Sequence, residues 1–164
     1  MSKTGLTIEQ VLELLANNPL RIAEFTADMT PAQLQAATNP GEWSVNEVLA
    51  HLRSCADMWG NAMEAILTQD KPTIKAINPR TWMEQTNYPE QKFQTSFRTF
   101  TRQRSDLLVV LEKLPRKSWS RSAIVTGAGK PLERTVFFYA YWLATHERTH
   151  VKQIRRITAS ALRG

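Results

Sequence analysis

Two of the three histidines in this 164-residue chain, His146 and His150, stand four positions apart. Residues four apart on a helix lie about one turn above each other on the same face, so both imidazoles can reach one metal ion. The remaining histidine, His51, would complete a three-ligand site if its helix packs beside the first pair. Catalytic metal sites usually have three protein ligands and open coordination positions. The spacing therefore suggests that all three histidines bind one ion.

The competing interpretation is that these are histidines of an ordinary core. The stripe predicted around His146 and His150 is otherwise apolar, and burying an imidazole costs free energy unless it has a partner. A lone histidine in such a stripe is most often a core residue with one hydrogen bond. Two histidines on one helical face, with His51 available on another helix, favour a metal site over an ordinary core.

Glu147 completes the pattern His-Glu-x-x-His, in which zinc metalloproteases place two ligands and a general base. The pattern is short, and neither known extension follows it: the metzincin glycine and histidine are absent at their offsets, and no acidic residue follows Glu147. On a helical wheel, Glu147 lies about 80° from the centre of the two histidines. A zinc metalloprotease is therefore a remote alternative, and we expect Glu147 on the flank of the site or behind its ligands.

Gln153 and Cys55 could also contact the site from behind the ligands. Gln153 follows His150 by one turn and could hydrogen-bond a ligand histidine, or it could be an ordinary solvated residue. Cys55 follows His51 by one turn, and a thiolate there would be a soft ligand. A free cysteine is more often a small buried residue, which is the role we expect for Cys55.

Helical periodicity runs through nearly the whole chain and predicts the elements that position these residues. Four long amphipathic helices are expected, and four such helices in one domain predict an all-α four-helix bundle. The first runs to Met29, and Pro19 either kinks it or begins a second helix. The other three are predicted from Val45 to about Leu67, from about Pro89 to Leu114 and from about Leu132 to Ala161. A short helix is expected to begin at Thr30-Pro31.

Two connections interrupt this pattern. Residues 69–88 could span up to ~65 Å if extended, whereas a helix of about 23 residues is only ~35 Å long. This crossover can therefore pass along the bundle and let the next helix run parallel to the last, and Trp82 and Tyr88 indicate that it packs. Residues 116–131 are predicted as a loop with a short strand pair around Ala123-Ile124-Val125.

Composition is consistent with a single domain over residues 1–164, in which 42% hydrophobic residues can form one core. The single cysteine excludes an intrachain disulfide. Residues 1–7 contain no apolar run, and no apolar stretch reaches the roughly 20 residues that span a bilayer, so we expect a cytoplasmic protein without a membrane partner. The net charge of +6 comes from scattered residues, so a nucleic-acid partner is not expected.

Two motifs resemble those of the DinB/YfiT-like superfamily. The run from Glu42 to Leu52, with Trp43-Ser44 at a helix start and His51-Leu52 after it, resembles the second-helix motif of that family. His146-Glu147-x-x-His150-x-x-Gln153-Ile154 resembles its fourth-helix motif, and the segment from Leu20 to Leu34 is also similar to family members. The resemblance covers nearly the whole chain, with the motifs in the expected order and separation.

This resemblance implies an up-down-down-up four-helix bundle with a long crossover between the second and third helices. It also implies a divalent metal held by His51, His146 and His150. Family members with known activities include transferases and isomerases that use small thiols such as mycothiol or bacillithiol, and some DinB-like proteins are induced by DNA damage.

We therefore predict a metal-dependent transferase of the thiol-dependent type, or a hydrolase, acting on a small molecule through Lewis-acid activation. Arg148 and Lys152 are expected to draw an anionic thiol to the metal. The alternative is a non-catalytic metal-binding or DNA-damage-response protein. Three imidazoles suit Zn²⁺, Ni²⁺, Fe²⁺ and Mn²⁺, so the metal stays open. The oligomeric state also stays open, with a homodimer among the options.

Overall fold

The computed structural model of the chain describes residues 5–163. Residues 1–4, which belong to the segment that argues against a secretory signal, lie outside this range. The helices are α1 (Ile8–Thr26), α2 (Pro31–Gln35), α3 (Val45–Thr68), α4 (Pro79–Glu84), α5 (Phe93–Glu112) and α6 (Val136–Arg163). Four of them are long and form a bundle, as the sequence predicts, while α2 and α4 lie in the connections.

The starts of the first three helices follow from their capping residues. Thr7, Thr30 and Ser44 each accept a hydrogen bond from the backbone three residues on, and a Gln or Glu at that position bonds back. Each pair satisfies two backbone donors that a helix end would otherwise leave free. Pro19 lies buried within α1, which continues through it as one helix and ends at Thr26, three residues before the predicted end.

Helix α6 runs parallel to α1. Asn18 donates its side-chain amide to Glu147 at 3.1 Å, and further along both helices the Arg155 guanidinium lies 5.8 Å from the centre of the Phe25 ring. Residue numbers rise together on the two helices, which fixes their common direction.

Helix α3 runs opposite to α6, because His51 pairs with His146 and Trp59, two turns later, lies against Trp142. It runs parallel to α5, since Arg53 donates to Ser96 at 3.0 Å and Asp57 bonds Gln103. The four long helices therefore run up, down, down and up.

The crossover between α3 and α5 is packed against the bundle through Asp57. This carboxylate of α3 accepts hydrogen bonds from Trp82 Nε1 at 3.2 Å, Tyr88 Oη at 2.6 Å and Gln103 Nε2 at 2.8 Å. Trp82 is part of α4, so the same carboxylate fixes this helix on α3. The expectation that the crossover packs is confirmed.

A small three-stranded sheet corrects the prediction of a purely α-helical fold. Its strands are β1 (Thr73–Lys75), β2 (Ser122–Thr126) and β3 (Leu132–Thr135) in the order β1-β2-β3, with β1 parallel and β3 antiparallel to β2. The strand pair expected around 123–125 is present. However, β3 occupies the first four residues of the predicted last helix, which begins only at Val136, and β1 lies in the crossover.

The reason for this difference is that both missed strands are short. A strand of three or four residues carries too little alternation to be recognised, and its stability comes from hydrogen bonds to a distant neighbour. The loop between β2 and β3 contains Gly127 and Gly129 at φ of 88° and 90°, a conformation that glycine adopts without strain. Within residues 5–163, no helix is long and apolar enough to cross a membrane.

Candidate metal centre

Helix α3 brings His51 into the bundle two turns after its start. The Ser44–Glu47 capping box, with bonds of 2.8 and 3.1 Å, fixes the beginning of this helix. His51 is 7% exposed and faces α6. The indole of Trp43, which precedes the capping box, lies against it with ring centres 5.2 Å apart. The first turn of α3 therefore sets both the depth and one wall of the site.

The three histidines predicted from the sequence lie together at the contact between α3 and α6. His146 Nε2 is 3.3 Å from His51 Nε2 and 3.2 Å from His150 Nε2. The ring centres of His51 and His150 are 4.8 Å apart, and their planes meet at 67°. Two nitrogens that bind one ion at about 2.0–2.1 Å in a tetrahedral arrangement lie roughly 3.3 Å apart. The two nitrogen separations that involve His146 match that spacing.

Gln153 selects the tautomer of His150. Its amide oxygen lies 2.8 Å from His150 Nδ1, and an amide oxygen can only accept, so Nδ1 carries the ring proton. This leaves a lone pair on His150 Nε2, the atom that points at His146. Of the two roles considered for Gln153, the hydrogen bond to a histidine is the one observed.

Ring protons alone do not satisfy this cluster. His150 Nε2 has a lone pair and can only accept. If His146 Nε2 carries a proton, it can donate to only one of its two neighbours, and if it carries a lone pair, no proton lies between it and His150. In both cases one of the two nitrogen contacts has no hydrogen bond. His51 Nδ1 and His146 Nδ1 are also buried without a hydrogen-bond partner within residues 5–163. A cation that accepts lone pairs from all three Nε2 atoms fits this donor set.

Burial keeps the two inner histidines neutral. It lowers the pKa of His51 to about 4, helped by the neighbouring His150 and His146 and by Arg80. Burial also lowers the pKa of His146 to about 4, again with help from His150. Metal binding requires the neutral ring, and both rings are in that form at neutral pH.

Cys55 offers a second choice of third ligand. Its Sγ is 3.7 Å from His51 Nε2, and the ligand atoms of His51, Cys55 and His146 all lie within 4.8 Å of one another. Burial raises the pKa of the Cys55 thiol, and the Glu147 carboxylate raises it further. A protonated thiol is a poor ligand, so the protonation of Cys55 favours His150 as the third ligand, whereas the ligand-atom distances group Cys55 with His51 and His146.

The Glu147 carboxylate forms its hydrogen bonds away from the histidines. Its carboxylate accepts two hydrogen bonds from the Arg104 guanidinium and one from Asn18, and it is fully buried. Arg104 also donates to the carbonyl of Leu15 at 2.9 Å. Within the described residues these are the hydrogen bonds of Glu147, and none reaches a histidine. A carboxylate held in this way is unavailable as the base of a protease.

The sequence did not identify Arg104 and Asn18 as partners of Glu147. A signal was present for each. Arg104 falls among the apolar positions of α5, one turn after Phe100, where a charged residue is rarely buried without a partner. Asn18 lies directly before Pro19 on the buried side of α1 and is fully buried.

Of the three histidines, His150 lines a surface cleft of about 590 Å³. Trp43, His150 and Gln153 line it together with two cations, Arg80 and Arg156. Arg148 and Lys152, the cations expected beside the ligands, line other grooves. Arg80, which comes from the crossover, is the cation of this cleft that the sequence did not predict.

A second cavity, of about 350 Å³, lies between α3, α6 and the sheet. Its lining contains no histidine. Trp59 is one of its lining residues, and the centre of its ring is 5.1 Å from that of His146. The cavity is lined mainly by apolar side chains.

Comparison with known protein families matches the model of the DinB superfamily over residues 7–154, a range that includes all three histidines. The chain belongs to the DinB superfamily. Among solved structures, YfiT from Bacillus subtilis superposes with a TM-score of 0.80 at 17% sequence identity, covering 97% of this chain and 91% of that one. YfiT is described as a probable metal-dependent hydrolase with an unusual four-helix bundle topology. Curated protein sequences give no significant match.

Proposed function

We propose that this DinB-superfamily chain is a metal-dependent enzyme acting on a small molecule, with His51, His146 and His150 as the ligands of one divalent ion. The convergence of the three Nε2 atoms supports this most directly, since two contacts of 3.2 and 3.3 Å join nitrogens that cannot all be hydrogen-bonded to each other. The ion is Zn²⁺, Ni²⁺, Fe²⁺ or Mn²⁺, all of which suit imidazole ligands.

The residues around the ligands have distinct roles in this proposal. Gln153 orients His150 and holds its proton on Nδ1, so that Nε2 faces the ion. Trp43 covers one side of His51 and restricts access of water. The ion supplies a Lewis acid that lowers the pKa of a nucleophile. The cleft lined by His150 provides the access for the substrate.

We propose a transferase that uses a small thiol as the first reaction class and a hydrolase as the second. A site with three neutral ligands keeps the full charge of the ion and so attracts anions such as thiolates. The description of YfiT as a probable metal-dependent hydrolase supports the second class. Both classes use the same ligands and differ only in the nucleophile.

Metal binding is tested by elemental analysis of protein purified without an affinity tag, then dialysed with each metal and freed of excess ion. We expect one ion per chain in the wild type. His150→Ala should lower the affinity severely, and the triple variant at positions 51, 146 and 150 should bind none. Retention of one ion by the triple variant would refute the site.

Cys55→Ala distinguishes the two ligand sets. Cys55 and His150 are each one turn from an inner histidine, so the two alanine variants are matched in position. If His150 is the third ligand, Cys55→Ala keeps one ion per chain with nearly unchanged affinity. Loss of the ion in Cys55→Ala, with binding retained in His150→Ala, would make the thiol the ligand.

The reaction class is tested with Co²⁺ in place of the native ion. A thiolate that binds Co²⁺ adds a sulfur-to-metal absorption band, so millimolar glutathione, cysteine, bacillithiol or mycothiol should change the spectrum. An unchanged spectrum with all four removes the support for a thiol transferase and leaves the hydrolase. Full metal loading without turnover of any thiol or ester would favour the non-catalytic alternative.

A further inference from the structure

The cleft beside His150 contains more positive than negative side chains. Arg80 and Arg156 line it together with Glu42, whose carboxylate already accepts a hydrogen bond from Asn39 at 3.2 Å. The ion pairs recorded within residues 5–163 are Lys71–Glu133, Arg104–Glu147 and Arg116–Glu9, and neither arginine of the cleft is in one. The cleft is therefore a cationic surface next to the proposed ligands.

Arg80 is held at this place by the crossover. It lies in the first turn of α4, where its backbone N–H donates to the Asn78 side chain at 2.9 Å. Two residues on, Trp82 bonds Asp57 of α3 at 3.2 Å. The guanidinium of Arg80 lies 5.2 Å from the centre of the Trp43 ring, and this ring also covers His51. Arg80 is thus tied to the wall of the histidine site.

Arg156 also lines the cleft. It lies on α6, three residues after Gln153, which bonds His150. It is exposed, so its donors can meet a ligand from solvent. Guanidinium groups present their donors in a planar fork that matches the oxygens of a carboxylate or a phosphate. The cleft has the size typical of a pocket for a small molecule.

We propose that Arg80 and Arg156 bind the anionic end of the substrate, and that the substrate is a small molecule bearing a carboxylate or phosphate group. This inference rests on the proposed function, because it places the other end of the substrate at His150. The two arginines determine specificity, and they take no part in the chemistry.

The test uses isothermal titration calorimetry at low ionic strength on metal-free and on metal-loaded protein. The probes are succinate, inorganic phosphate and succinamide, a neutral analogue of succinate. We expect succinate or phosphate to bind metal-free protein at millimolar concentration and succinamide not to bind. The anion that binds more tightly identifies the group that the cleft recognises. The proposal is wrong if neither anion gives binding heat at about 10 mM.

Arg80→Gln and Arg156→Gln should each weaken anion binding by about tenfold, the loss typical of a hydrogen bond to a charged group. Arg155→Gln is the matched control, since Arg155 is an exposed arginine on the same helix that does not line the cleft. An equal loss in Arg155→Gln would mean that general surface charge attracts the anion. Unchanged binding in both cleft variants would also overturn the proposal.

Metal content separates this proposal from the proposed function. Both cleft variants should keep one ion per chain, because neither side chain is a ligand. If wild-type protein binds no metal but binds anions through Arg80 and Arg156, the proposed function fails while the anion site stands. If metal loads normally and anion binding ignores both arginines, only the anion site fails.

Discussion

Replacing Glu147 by glutamine tests whether this residue is structural. The carboxylate is fully buried and the Arg104 side chain is only 3% exposed, so their charges compensate each other away from water. Glutamine has nearly the same shape, and its oxygen can still accept from Asn18. Its NH2 group, however, would face Arg104 Nη2, and two hydrogen-bond donors would then point at each other. The guanidinium would then stay buried without a counter-charge.

The expected cost follows from this arrangement. Removing one partner of a buried ion pair typically destabilises a protein by about 3–5 kcal/mol, a large part of the 5–15 kcal/mol typical of a whole domain. With a urea m-value of about 2 kcal/mol/M, the unfolding midpoint should fall by roughly 2 M. The control is Glu64→Gln on the exposed side of α3, which should change stability by less than about 0.5 kcal/mol.

A double variant, Arg104→Met with Glu147→Met, completes the test. It removes both charges and should recover much of the loss, because apolar pairs of similar volume often replace buried ion pairs without penalty. Urea unfolding followed by circular dichroism measures all three variants. The reasoning is refuted if Glu147→Gln costs less than about 1 kcal/mol, or if the double variant is no more stable than the single one. Metal content should stay at one ion per chain in Glu147→Gln.

Three further predictions concern the histidine site. Metal-free protein should lose stability as pH falls from about 6.5 towards 4, because unfolded chains protonate His51 and His146 in this range while the folded protein keeps them neutral. Urea titrations at several pH values measure the unfolding free energy as a function of pH. An equal slope in the double variant with glutamine at both positions would contradict the prediction. Cys55 should resist an aromatic disulfide reagent until the protein unfolds, since it is fully buried, and rapid labelling of the native state would refute this. Gln153→Leu should weaken metal binding by about 10–100-fold through loss of its bond to His150, measured by Co²⁺ titration; an unchanged affinity would show that the bond does not orient the ligand.

The parts of the fold that the sequence predicts well are those with local signals. Ser44 and Glu47 form a capping box within four residues, so the start of α3 is predicted correctly at Val45. The three histidines come together because their helical faces are apolar and must pack on one another. In each case the information lies in a few neighbouring residues or in one periodic stripe.

The parts that were missed depend on contacts between distant segments. Strand β1 pairs with β2 about fifty residues later, and three residues of strand carry no pattern of their own. Arg80 lies in the crossover two residues before Trp82, which Asp57 bonds, and nothing around Arg80 in the sequence reveals that it lines the cleft. The partner of Glu147 is Arg104, 43 residues away. Such pairings become visible only once the chain is folded.

The separation of the histidines along the chain has a consequence for synthesis. The ribosome makes His51 ninety-five residues before its neighbour His146, so a growing chain carries one imidazole for a long time before the other two exist. A single imidazole binds metal ions weakly. The proposed site can therefore capture its ion only after α6 has been made and has docked between α1 and α3. Binding of the ion would then stabilise the docked state by mass action, so metal loading would occur only on completely folded chains.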